Sequence, residues 1–147
     1  MKDRKPKNVF KEGPISAEFI GNSIAKHQSK TSIGAHNIFL GQVRADQIED
    51  KIVDAIEYTA YEDMANEKFH EIRELAFEKF DLTCMHIYHS LGTVKAGEIC
   101  LFVFVSSTRR KEVFPAIEYI VNEIKAHVPI FGKEVFQDAS HQWKVNS

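Results

Sequence analysis

The sequence predicts an α+β domain, with three helices packed on one side of a mixed sheet. Three observations predict it. Segments of helical and strand character follow one another as helix, two strands, helix, two strands, helix and a short strand. Hydrophobic residues make up 44% of the 147 positions and include 11 phenylalanines, which is enough for one core and leaves no room for a second. No internal repeat or low-complexity tract divides the chain.

Each element has a local reason. The opening segment through Pro14 mixes Lys, Pro and Gly and reads as loosely held, apart from a short strand around Val9-Phe10. Ser16 can cap a helix running to about Lys26, with Phe19, Ile20 and Ile24 as its apolar stripe. Residues 34–44 read as a strand in which Gly41 marks a bulge or a close backbone approach. A polar connection over residues 45–50 leads to a second strand, Ile52 to Ala60.

Glu62 through Phe80 is the clearest helix, with Met64, Phe69, Ile72, Ala76 and Phe80 expected on its buried side. Leu82 to His89 is rich in β-favouring residues, and Gly92 to Glu98 reads as the link to the next strand. That strand, Ile99 to Ser106, is the most apolar and is expected at the centre. Arg110 to His127 forms the last helix, carrying Phe114, Ile117, Ile120, Val121 and Ile124. Pro115 is read as lying in its first turn or so, where no amide partner is needed. The helix stops before Pro129, residues 130–136 are extended, and Trp143 is expected to hold residues 140–144 against the body.

Charge and cysteine usage exclude several classes. The formal net charge is -2, so no strongly basic nucleic-acid coat is present, and aromatics do not interleave with bases in an RNA-binding strand pattern. The total conceals a division: residues 45–81 carry 12 acids and 4 bases, whereas the rest carries 15 bases and 9 acids. An acidic solvent-facing helix and a cationic site elsewhere both fit that division. Cys84 and Cys100 sit in apolar runs without C-x-x-C spacing and read as buried free thiols, which suits a reducing compartment. The longest uninterrupted apolar run, Leu101 to Val105, is too short to span a bilayer, and the basic N-terminus lacks a signal-peptide apolar region. A cytoplasmic protein with no membrane contact is expected.

No metal site is expected from the seven histidines: none forms H-E-x-x-H, and Cys84 and His86 are assigned to opposite faces of their strand. Nucleotide-binding glycine loops and the G-x-S-x-G elbow are absent. The chemical signal is cationic. Arg44 ends a strand, Arg109-Arg110-Lys111 stands where the central strand gives way to a helix, Lys125 lies in that helix's last turn, and Lys133 follows beyond Pro129. Arginine forks and helix N-terminal amides suit phosphate, and a lysine tuned by desolvation suits proton transfer. By pattern alone these residues are equally readable as surface charge, with Lys125 complementing the helix dipole.

Several of these segments, taken in order, carry a resemblance. Phe39-x-Gly41-x-Val43-Arg44, His89-x-Leu91-Gly92 with Gly97-Glu98, Ser107-Thr108-Arg109-Arg110 before Phe114, Lys125-x-x-Val128-Pro129-Ile130-Phe131, Glu134 and Trp143-Lys144 together resemble the large, catalytic subunit of molybdopterin synthase, the MoaE family, from about Phe10 to Lys144. The resemblance implies an α/β-hammerhead fold with an added α+β subdomain, as one domain over residues 1–147 with residues 1–9 a loosely ordered extension. It implies a homodimer at the centre of a heterotetramer. The partner at each end is a small ubiquitin-like sulfur carrier whose Gly-Gly C-terminus bears a thiocarboxylate. The implied reaction installs two sulfurs on cyclic pyranopterin monophosphate as a dithiolene and needs no metal or organic cofactor.

The resemblance also assigns residues. Lys125 is implied as the principal catalytic group, and Arg44 and Arg110 as substrate-binding groups. Arg109 stands where the family has histidine; it can keep a phosphate contact but is a poor proton shuttle. His89-Ser90 replaces a frequent His-Arg pair. The family's W-K-K-E is Phe131-Gly132-Lys133-Glu134 here, so a lysine is missing at 132. Lys133 is expected to take over as a catalytic and substrate-binding group if Gly132 lets the backbone deviate. Arg44, Arg110, Lys125 and Lys133 are then expected to converge on one pocket, completed where needed by a dimer mate. The alternative implied by these departures is a catalytically weakened dimer that binds a carrier tail.

Overall fold

In the computed structural model, which describes residues 6–145, the most apolar stretch of sequence becomes the most enclosed strand. The elements are β1 (Phe10–Glu12), α1 (Ala17–His27), β2 (Ala35–Gln42), β3 (Gln47–Ile48), β4 (Lys51–Ala60), α2 (Glu62–Lys79), β5 (Cys84–Lys95), β6 (Ile99–Ser107), α3 (Arg110–His127), β7 (Ile130–Phe136) and β8 (His141–Trp143). The sheet runs β2-β6-β5-β4-β7-β8, with β1 beside β5 and β3 beside β4. The β1–β5 pairing is parallel and the others are antiparallel, so the sheet is mixed, as expected.

Residues Cys100–Ser107 of β6 are all buried because both faces of the strand are covered. Leu101, Val103 and Val105 point into a core shared with Phe69 and Ile72 of α2 and with Val113, Ile120 and Ile124 of α3. The alternate residues Phe102 and Phe104 point the other way, onto Ile15 and Ile20 at α1. This corrects the expectation that all helices lie on one side: α1 covers one face and α2 and α3 the other. Burying Phe102 and Phe104 completely stabilises the α1 layer by about 1.5–3 kcal/mol each.

The Ser16 hydroxyl accepts the Phe19 amide at 3.0 Å, which fixes the start of α1 as read. In α2 the buried stripe is Ala65, Phe69, Ile72 and Ala76, whereas Met64 is 60% exposed. In α3 it is Val113, Ala116, Ile120 and Ile124, and Phe114 is 61% exposed. The rest of each expected stripe keeps its phase, with Phe69, Ile72, Ala76, Ile120 and Ile124 buried; only its first member is misplaced by one residue, about 100° around a helix. Pro115 is the sixth residue of α3, not a first-turn residue, so the bond its amide would give to the Lys111 carbonyl is forgone while the helix continues.

Three further boundaries differ from expectation. The 45–50 connection contains β3, a short hairpin with β4 that turns at Glu49 with φ 58°. The strand expected to end at His89 continues to Lys95, and the true turn is Ala96-Gly97-Glu98, where Gly97 takes φ 92°. Trp143 is 62% exposed and anchors nothing; the tail is held by β8 pairing with β7 and by the Lys144 amide donating to the Gly132 carbonyl at 2.7 Å. Of the expected N-terminal extension, residues 1–5 lie outside the described residues. Val9 is buried, its carbonyl accepting the His89 amide and its amide donating to Asn66 Oδ1.

The extra length of β5 organises the molecule. Its first half, Cys84–His89, pairs with β6, and its second half, Gly92–Lys95, pairs with β4. One strand therefore joins the β1-β2-β6 portion to the β4-β7-β8 portion. Cys84 and His86, two residues apart on β5, share the α1 face, and their ligand atoms lie within 4.8 Å of each other and of His27. The expectation of opposite faces was wrong because a strand repeats every two residues.

Candidate active site

A cavity of about 270 Å³ opens where the two portions of the sheet meet. Its wall includes Phe39 to Arg44 from β2 and the loop after it, Tyr58 of β4, His89 of β5, Cys100 of β6, Lys125 of α3, Gly132 and Glu134 of β7, and Lys144. The register of β2 shifts between Gly41 and Gln42, and a Cβ at Gly41 would lie 3.1 Å from Leu101 Cβ. The expected bulge is therefore present, and it lets β2 close tightly on β6 before the chain turns to Arg44.

The floor is apolar or neutral apart from buried Glu134. His89 is buried, and its Nδ1 lies 2.8 Å from the Ser90 carbonyl, so that nitrogen carries the proton and donates. Burial pushes the His89 pKa down to about 4; the Lys125 charge pushes the same way, and the Ser90 bond opposes both. The imidazole is neutral at pH 7. Tyr58 packs edge-on against it at 5.1 Å between ring centres. Burial first, then the Cys100 thiol and the Glu134 carboxylate, raise the Tyr58 pKa far above its ordinary value, so the phenol keeps its proton. Cys100 Sγ donates to the Gly41 carbonyl at 3.4 Å, and buried Glu134 accepts from Gln142 Nε2 at 3.0 Å.

The rim is cationic. Arg44 and Lys125, both expected site residues, stand on this one cavity. Arg44 is tied to Asp46 at 3.1 Å, but the pair is exposed, and so weak that an incoming anion can compete for the guanidinium. Lys144 is the third cation of the wall.

The other predicted residues are elsewhere. Lys133 does not reach the cavity. β7 pairs regularly with β4 at this point, Gly132 opposite Tyr58 and Lys133 opposite Glu57, and the Lys133 Nζ lies 3.0 Å from Glu57 Oε1. Gly132 and Glu134 thus face the cavity and Lys133 faces away, because successive strand residues alternate. The backbone deviation on which its replacement role depended does not occur. Arg109 and Arg110 are exposed at the start of α3, 15 residues from Lys125, which is about 22 Å along a helix. Within one chain, two of the four residues expected to converge, Arg44 and Lys125, meet on the cavity.

Sequence reasoning missed Tyr58 and Cys100 as cavity residues, and it used His89, Glu134 and Lys144 only as markers of resemblance. Strand parity could have paired Tyr58 with Gly132. Lys144 was a marker without a role, since its place at the cavity depends on the 2.7 Å bond to Gly132 across the sheet edge.

Comparison with known proteins identifies the family and the fold. The family model described as MoaE protein matches residues 12–127. The chain is 35% identical over 121 residues to the molybdopterin synthase catalytic subunit of Emericella nidulans, a match covering 82% of this chain but 62% of that protein. It is 36% identical to the molybdopterin synthase catalytic subunit of Dictyostelium discoideum, covering 94% of this chain and 92% of that protein. Among solved structures, molybdopterin synthase from Staphylococcus aureus superposes with a TM-score of 0.80 at 29% identity, covering 94% of this chain and 96% of that one. The mixed sheet with its flanking helices is the hammerhead architecture of that structure.

Proposed function

The chain belongs to the MoaE family of molybdopterin synthase catalytic subunits, and from that premise we propose that it inserts sulfur into cyclic pyranopterin monophosphate. The sulfur comes from the thiocarboxylated C-terminus of a small ubiquitin-like carrier, and the product is the dithiolene of molybdopterin. The observation that carries the reading is the gathering of Arg44, Lys125 and Lys144 on one cavity, over a buried floor in which His89 and Tyr58 are neutral. Both reactants bring negative charge, the cyclic phosphate and the thiocarboxylate. Three cations beside a poorly solvated wall can hold the two together where water alone would let them repel.

In this reading Arg44 exchanges Asp46 for substrate phosphate. Lys125 stabilises the charge that develops as each carbon–sulfur bond forms and the phosphate ring opens, and it supplies the proton required there. Lys144 supplies the positive charge missing at Gly132: its side chain enters the same cavity and its amide is bonded to the Gly132 carbonyl. Tyr58 and His89, both neutral, fix the shape of the floor. Arg109 and Arg110 can bind substrate only across a dimer, contributing to the cavity of a second copy. Cys84 and Cys100, both free and buried, suit a reducing, cytoplasmic setting for the reaction.

The test is dithiolene formation with thiocarboxylated carrier. Lys125→Ala is expected to lower turnover at least about 100-fold, the scale of a lost electrostatic stabiliser. Undiminished turnover would remove Lys125 from the mechanism. One observation favours a second reading, a dimer that grips the carrier tail without turnover: Lys133 is held by Glu57 and leaves position 132 without its lysine. Carrier binding without product from the unmodified chain would select it.

A further inference from the structure

We propose that His27, Cys84 and His86 form a binding site for a thiophilic, zinc-like divalent transition-metal ion on the α1 face of the sheet. The site is separate from the cavity described above. One ligand atom from each residue lies within 4.8 Å of the other two, and His86 Nε2 donates to His27 Nε2 at 2.9 Å, a hydrogen bond whose proton the ion would displace. Nitrogen bonds of about 2.0–2.1 Å and a sulfur bond of about 2.3 Å in tetrahedral geometry need donors roughly 3.3–3.6 Å apart. The imidazoles must part by a few tenths of an ångström and the thiolate must close in, a change within reach of side-chain rotation.

The histidine from α1 is already oriented as a ligand. His27 Nδ1 lies 2.8 Å from the Ser23 carbonyl, which can only accept, so Nδ1 holds the proton and the Nε2 lone pair faces the cluster. His27 and Cys84 are both buried, one in the last turn of a capped helix and the other at the start of the long strand β5. The Phe104 ring lies 4.8 Å from the His27 ring and 6.3 Å from the His86 ring, centre to centre, which restricts both imidazoles. His36 stands at the exposed side of the cluster, its Nδ1 2.7 Å from Ser106 Oγ, and marks the route of entry.

The donor set defines the class of ion, and the ion must bind against nearby positive charge. Lys30 Nζ donates to Cys84 Sγ at 3.1 Å, a contact the ion would replace. Lys30 is exposed and can swing into water when the ion arrives. Lys7 is bonded to the Tyr88 hydroxyl and Arg73 to the Met85 carbonyl, so two more cations lie near His86. The three donors include no carboxylate. Hard cations such as calcium and magnesium need several oxygens and find none among these donors, whereas two imidazoles and a thiolate match a thiophilic ion with water in the fourth position. The ion would clasp the end of α1 to β5.

The experiment uses the full chain, stripped with a chelator and titrated with Co²⁺ and Zn²⁺. Co²⁺ is expected to bind one per chain with thiolate-to-cobalt absorption in the near ultraviolet, and Zn²⁺ to displace it. Cys84→Ser should abolish that absorption, and His86→Ala should weaken binding by at least about 100-fold, beyond the 10–100-fold typical of losing a group that merely orients a ligand. His70→Ala, an exposed histidine on α2, should change neither. In the unaltered chain Zn²⁺ should slow alkylation of Cys84 and leave Cys100 unaffected, a readout that does not depend on any variant folding. Absence of stoichiometric binding, or binding that lacks the thiolate band and leaves Cys84 equally reactive, overturns the proposal.

Discussion

Acidification should destabilise the protein through His89, at a pH where most carboxylates are still ionised. Burial holds this imidazole near a pKa of about 4, against 6.5 for an ordinary histidine. Above pH 6.5 His89 is neutral in both folded and unfolded chains and costs nothing. As pH falls from 6.5 towards 4 the unfolded chain takes up a proton that the folded chain resists, so stability is lost through that window. At 1.36 kcal/mol for each pH unit, the gap corresponds to about 3 kcal/mol in full and about 2–3 kcal/mol by pH 4.5. The assay is urea unfolding at pH 7.5 and pH 4.5 for the unaltered chain and for His89→Gln, which cannot titrate. With slopes of about 1–3 kcal/mol per molar urea, the unaltered chain's midpoint should fall on the order of 1 M more than the variant's. His86, also lowered to about 4 mainly by burial, pushes the same way but is present in both proteins and cancels. Equal losses in the two proteins would refute the assignment of a buried neutral imidazole at the cavity floor.

Further outcomes follow from the same geometry. Lys144→Ala should lower sulfur-transfer turnover at least about tenfold, as loss of a positioned charge does, when assayed with thiocarboxylated carrier. Lys133→Ala should leave turnover within about twofold. It should change stability by no more than about 1 kcal/mol, since its pair with Glu57 is partly exposed, as thermal melting will report. Phe102→Ala should cost about 3–5 kcal/mol in chemical denaturation, because its ring is fully buried between β6 and α1.

Much of the fold was legible because local signals agreed with one another. The apolar period from Arg110 to His127, bounded by Pro129, placed α3 at its observed limits, and the run of apolar residues within 99–106 marked the strand buried on both faces. Ser16 announced its helix through its own cap. The first buried residue of α2 and of α3 was misplaced by one because Met64 and Phe114 are larger than Ala65 and Val113, and size alone does not say which side faces the core. The helix on the far face could not be placed from its own stripe, since an amphipathic α1 suits either side of a sheet.

The candidate site was legible only in part. Arg44 and Lys125 meet in the cavity, but their meeting depends on β5 joining two portions of sheet, a long-range feature with no local signature. Two misreadings were avoidable by elementary geometry. Residues 110 and 125 lie at opposite ends of one helix, and residue 133 takes the opposite face from residue 132 in a regular strand. The cluster of His27, Cys84 and His86 brings together residues more than 50 positions apart, and the local part of it was missed by misapplying the strand period.

The central claim is that this chain, with its changed residues at 109 and 132, completes sulfur insertion. The most direct measurement combines the unaltered chain, thiocarboxylated carrier and cyclic pyranopterin monophosphate, and follows both the carrier and the pterin by mass spectrometry. The account predicts two carriers discharged for each dithiolene formed, and none with a carrier lacking the thiocarboxylate. Carrier that binds but stays charged, with the cyclic substrate unchanged, would contradict it.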